Sequence, residues 1–138
     1  MIVLDTNVVS ETMRDHPDPT VIAALDDLAE PPALTSITAA EIRFGIAVLP
    51  GGARKRRLER AAEQLFEAFL PARLLAFDAA ASVAFASICA RRRKMGHPIS
   101  RFDAMVAAIC STHGATLFTR NVKDFADTKV DVVNPWTR

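Results

Sequence analysis

The sequence predicts an α/β fold in which a mostly parallel sheet is covered by helices on both faces. Two observations carry this reading. Short apolar runs of strand-forming residues alternate with longer segments of helical periodicity along the whole chain. The first run, Ile2-Val3-Leu4, is apolar at every position, as a strand buried on both sides must be, and it breaks at once into Asp5-Thr6-Asn7. In open sheets of this kind, ligand groups sit just past the carboxyl ends of strands, where Asp5 falls. Asp5 or Thr6 can equally do no more than cap the helix that follows.

The elements follow in order. Val8–Met13 reads as a short helix stopped by Pro17 and Pro19. Val21, Leu25 and Leu28 share a face of a second helix that ends before Pro31-Pro32. Ala33–Ser36 is a weak strand, and Thr38-Ala39-Ala40-Glu41 opens a helix that runs to the Pro50-Gly51-Gly52 break. From Ala53 to Leu70 the apolar positions recur at helical spacing, with Arg54-Lys55-Arg56-Arg57 and Arg60 on the opposite face. Leu74–Phe77 is the third strand candidate. Asp78 then caps a helix that reaches about Met95, and its closing Arg91-Arg92-Arg93-Lys94 suits the negative end of a helix dipole. Ser100–Asp103 starts the last long helix, with Gly114 as its cap. Ala115–Thr119 is the fourth strand, Arg120–Phe125 a polar turn or short helix, and Val130–Val133 a final edge strand.

Composition narrows the class. The 138 residues, half of them hydrophobic, suit one domain with a normal core, taken as residues 1–138. No apolar run reaches the ~20 residues that span a bilayer, and no secretory signal is visible. Cys89 and Cys110 lie in apolar helical patterns without metal-site spacing, which points to free thiols in a reducing cytoplasm. The net charge of +1 is unevenly spread. Residues 1–50 carry two basic and eight acidic side chains, and residues 51–101 carry eleven basic and four acidic. Such asymmetry fits a polyanion-facing surface beside a carboxylate site, and also fits ordinary solvated helix faces.

The candidate chemistry lies in Asp5, Glu41 and Asp103, each at or near a helix start, with Thr119, Asn121 and Asp124 after the fourth strand. Gathered carboxylates repel one another and call for a hard cation. Mg²⁺ or Mn²⁺ suits an all-oxygen site. His16, His97 and His113 are scattered and do not compete for zinc. Against this stands a structural reading: Thr38-x-x-Glu41 and Ser100-x-x-Asp103 both match the capping box.

Four segments in order resemble the PIN-domain ribonucleases, of the type of the VapC and FitB toxins of bacterial toxin–antitoxin pairs. They are Ile2–Glu11, Thr38-x-x-Glu41-Ile42-x-x-Gly45, Phe102-Asp103-Ala104-Met105, and Thr119-Arg120-Asn121-Val122-Lys123-Asp124-Phe125. The resemblance implies a PIN-like three-layer α/β/α sandwich with a central, mostly parallel sheet of four to five strands. It implies a metal-dependent endoribonuclease acting as a toxin, with Asp5, Glu41 and Asp103 on the family's acidic positions as catalytic and metal-binding residues. Thr6, Asn7, Thr119, Asn121 and Asp124 would form the secondary site, and Arg43, Arg101 and Arg120 would contact substrate phosphates. The fourth acidic position holds neutral Asn121, which leaves the number of metals open. The implied partners are a cognate antitoxin and the RNA substrate, with no membrane. A homodimer is expected from that resemblance and from apolar Val8, Val9, Met13 and Ile22 in the early helices. Two other readings remain: a catalytically silent PIN-fold module that binds antitoxin or RNA without cleaving it, and an aspartyl-phosphate phosphatase. The second would want an acid where Asn7 stands.

Overall fold

Val3 and Leu4, adjacent on one strand, feed two different apolar clusters, and this alternation builds the fold. The computed structural model describes residues 1–137. Arg138, the last residue of the expected domain, lies outside the described residues. The order is β1 (Ile2–Leu4), α1 (Thr6–Thr12), α2 (Pro19–Asp26), β2 (Leu34–Thr35), α3 (Ser36–Ala47), α4 (Ala53–Phe69), β3 (Leu74–Leu75), α5 (Ala79–Lys94), α6 (Arg101–His113) and β4 (Thr116–Phe118). A 3₁₀ turn (Val122–Phe125) and β5 (Val132–Val133) complete it.

All strand pairings are parallel. β4 lies between β1 and β5, and β2 pairs with β3. A single bridge, Val3 to Ala33, joins the two ladders, with Leu4 N–H donating to the Ala33 carbonyl at 3.0 Å and Ala33 N–H to that of Ile2 at 2.8 Å. The resulting order, β3-β2-β1-β4-β5, puts the first strand in the middle. The chain winds from β1 toward β3 on one side and returns to lay β4 on the other. The carboxyl ends of β1 and β4 therefore meet at the point where the winding reverses, which is where such sheets hold ligands.

Register explains the two cores. Val3, Leu117 and Val132 are aligned and pack with Val106, Ile109 and Ile88 from α6 and α5. Leu4, Phe118 and Val133 are aligned one step on and pack with Val8, Ile42 and Phe66 from α1, α3 and α4. Two helical layers thus cover one sheet, the three-layer α/β/α sandwich expected.

Several boundaries differ from the expected ones. The strands are shorter, β3 and β5 having two residues each. α1 begins at Thr6, because Asp5 is its cap. α3 begins at Ser36, because Thr35 Oγ1 accepts from Thr38 N–H at 3.1 Å. Glu41 is thereby the sixth residue of its helix rather than part of a capping box with Thr38. The apolar residues that suggested a dimer surface are largely spent inside the chain itself: Val8 and Val9 are buried in the core. Asp78, Ser100 and Gly114 cap as expected, Gly114 with a φ of 60° that suits glycine.

Candidate active site

Asp5 is held from three sides at the reversal point. Thr6 N–H donates to its Oδ1 at 2.9 Å, while Thr119 Oγ1 and Asn7 Nδ2 donate to its Oδ2 at 2.7 and 3.2 Å. Asn7 Oδ1 in turn accepts from Arg120 N–H, and Thr119 Oγ1 accepts from Asn121 N–H. The end of β1 and the end of β4 are thus laced together around one carboxylate that is 5% exposed. Asp5 both caps α1 and faces the site, so the two sequence readings of this residue do not exclude each other.

Glu41 reaches the same place from α3, its Oε1 accepting from Thr6 Oγ1 at 3.1 Å. Asp103 stands in the first turn of α6, where its N–H donates to Ser100 Oγ at 3.2 Å. The acids feel one another. Burial pushes the Asp5 carboxyl above its ordinary range; bonds from Thr119, Thr6 and Asn7 pull it back, and the charge of Asp124 adds to the rise. Burial likewise raises Glu41 against the bond from Thr6, with the charges of Asp5 and Asp103 raising it further. Asp103 rises through burial, opposed by its bond to Ser100, and then through the charges of Asp5 and Asp124; the Arg92 charge lowers it slightly.

Four carboxylates therefore share one electrostatic neighbourhood. Among the described residues, no three His, Cys, Asp or Glu side chains stand close enough to enclose a metal ion. The donor set fits a hydrated Mg²⁺ all the same. That ion keeps several waters and needs only one or two carboxylates, so a closed cage is not required.

Of the remaining candidates, Asn121 contributes its backbone N–H to Thr119, and its residue is exposed. Asp124 is also exposed, in the 3₁₀ turn. Arg43 pairs with Glu63 on α4 and stacks its guanidinium on Phe66 at 4.6 Å. Arg120 stacks on Trp136 at 4.0 Å. Arg101 is exposed at the start of α6, two residues before Asp103.

Sequence reasoning missed three features. Arg92, one of a run assigned to the helix dipole, is buried and donates to the carbonyls of His97, Asp124 and Ala126 at 2.6–2.8 Å. It pins the turn that carries Asp124. Its signal was periodicity, since Ala81, Ile88 and Arg92 fall on one face of α5 and are its buried residues. Glu11, buried beneath α1, accepts from Asp18 N–H at 2.8 Å and pairs with Arg14. The third is a groove of about 1090 Å³ that begins at Thr6 and Glu41 and runs between α1, α3 and α4.

A three-layer α/β/α fold with acidic residues gathered at the carboxyl ends of its central parallel strands is that of the PIN domains. The chain belongs to the PIN-domain family, whose model matches residues 2–130. It is similar to the VapC ribonuclease Y4jK of Sinorhizobium fredii, with 38% identity over 99% of this chain and 98% of the relative. Its identity to the toxin FitB of Neisseria gonorrhoeae is also 38%, covering 99% of each. The crystal structure of FitAcB from the same organism superposes with a TM-score of 0.92, at 37% identity over the full length of both chains. Among the described residues, no helix is long and apolar enough to cross a membrane.

Proposed function

We propose that this chain, as a single PIN domain over residues 1–138, is a Mg²⁺-dependent endoribonuclease, with Mn²⁺ able to substitute. On this reading it acts in the cytoplasm as the toxin of a toxin–antitoxin pair. The observation that carries the proposal is the meeting of Asp5, Glu41 and Asp103, from three separate helix starts or turns, in one neighbourhood where each charge disfavours the next. A protein bears that cost where a cation is to be bound. The ribonuclease name of the relative from Sinorhizobium fredii supports the reaction. The solved complexes of this fold that join toxin to antitoxin support the partner.

In this reading Asp5 and Asp103 hold the cation. When bound, the cation lowers the pKa of water and stabilises charge on the phosphoryl oxygens. Glu41, whose raised pKa suits proton transfer near neutrality, takes the proton from the attacking water, and Thr6 orients it through Oε1. Thr119 and Asn7 keep Asp5 in place and ionised against its burial. Cleavage of structured RNA by the purified chain should require Mg²⁺ or Mn²⁺ and vanish in Asp5→Asn and Asp103→Asn variants. Full activity in excess chelator sinks the metal mechanism. The second reading, a silent PIN-fold module, is favoured by one observation: Asn121 is neutral where the family's fourth acid falls. Binding of RNA without any cut under the same conditions selects it.

A further inference from the structure

Arg54, Arg57 and Arg60 of α4 line the wall of the groove that starts at Thr6 and Glu41. Among the described residues, none of these three guanidiniums forms an ion pair or hydrogen bond. Neighbouring cations are engaged: Arg14 with Glu11, Arg43 with Glu63, and Lys55 with the Ala47 carbonyl. A row of unneutralised charges along one concave wall lowers the energy of a polyanion lying beside it.

Gly45 is a second and independent observation. It lies inside α3, one turn beyond Glu41 and on the same face, and it lines the same groove. Glycine weakens a helix interior, so packing should explain it. Packing does not, because a Cβ built there would meet nothing within 4 Å. The effect of Gly45 is to keep the wall bare next to Glu41, where another backbone can approach closely.

We propose that this groove is the track along which the sugar–phosphate backbone of single-stranded RNA runs to the carboxylates. Arg54, Arg57 and Arg60 contact phosphates on one side of the cut, and Gly45 leaves room for the strand. Three charges recurring every third residue along one helix suit a polymer with one charge per repeat better than an irregular acidic peptide. The proposal rests on the ribonuclease reading and names the surface that reading would use.

The test is binding of a labelled oligouridylate to the full chain in excess chelator, where nothing is cut. An Arg54→Gln, Arg57→Gln, Arg60→Gln variant should bind at least tenfold more weakly at low salt. Its salt dependence should shrink by about 2 in log–log slope, from three lost contacts of about 0.7 each. Gly45→Leu changes no charge and has open space, so it should weaken binding without lowering the melting temperature or altering that slope. Arg93→Gln with Lys94→Gln, on exposed positions of α5, should change neither quantity. The track is overturned if the triple variant binds like the parent, or if the α5 pair loses as much. It is also overturned if oligoglutamate binds the parent more tightly than oligouridylate does. If the binding differences hold but the parent cuts no RNA with Mg²⁺, the track stands and the ribonuclease reading falls.

Discussion

Thr119 Oγ1 donates to Asp5 Oδ2 at 2.7 Å, joining residues 114 positions apart at the ends of two adjacent parallel strands. The same hydroxyl oxygen accepts from Asn121 N–H and lies 3.3 Å from Asn7 Nδ2. Thr119 is fully buried, so water cannot stand in for it. Thr119→Val keeps the shape and removes these bonds, leaving a buried carboxylate and an amide short of partners. The variant should lose about 1–3 kcal/mol in denaturant unfolding. Unchanged stability would show that the lacing of β1 to β4 does not depend on this hydroxyl.

Asp103 separates the capping role from the site role. As a cap alone, Asp103→Asn should cost on the order of 0.3–1 kcal/mol with or without Mg²⁺. Facing Asp5 and Glu41, it should instead leave the metal-free protein as stable as the parent or more so, and its gain from added Mg²⁺ should shrink. Thermal melts of both proteins in chelator and in Mg²⁺ decide between the two.

The raised carboxyls also set a pH dependence. A group whose pKa is higher folded than unfolded holds a proton that the unfolded chain releases, so its contribution to stability falls as pH rises from the ordinary value through the folded one. The ordinary values are 3.8 for Asp5 and Asp103 and 4.5 for Glu41. In chelator, the parent should therefore lose more stability between about pH 4 and pH 7 than Asp103→Asn does. Superimposable pH curves would count against the shared neighbourhood.

Glu11 has the opposite sign. The Asp18 N–H, and then Arg14, hold its carboxyl below the ordinary 4.5. Its contribution is present above that value and is lost as pH falls through the folded one. Glu11→Gln should be less stable than the parent at neutral pH, with the gap closing in acid. A gap that stays constant with pH would assign the loss to packing rather than charge.

Arg92→Met keeps the apolar stem and removes the donors to three carbonyls. Hydrogen bonds from a buried charged group are strong, so the loss should exceed about 2 kcal/mol. Faster amide exchange should appear first in the turn around Asp124. A loss spread evenly over the chain would mean that Arg92 does not hold that turn.

The periods of the sequence determined much of this protein. Wholly apolar Ile2-Val3-Leu4, the helical spacing from Ala53 to Leu70, and the caps at Asp78, Ser100 and Gly114 are local signals, and each stands where it was read. Asp5, Glu41 and Asp103 were legible as residue types at element starts. Their shared neighbourhood was not, because spacing along a chain carries no distance across a sheet. Only the β3-β2-β1-β4-β5 order brings the end of β4 to Asp5. Only the start of α3 at Ser36, set by Thr35 rather than Thr38, puts Glu41 a turn deeper, with Thr6 against it. Arg92 shows the same limit from the other side. Within Arg91–Lys94, helix charge and dipole alone cannot say which of four cations turns inward; packing against the turn at Asp124 decides it.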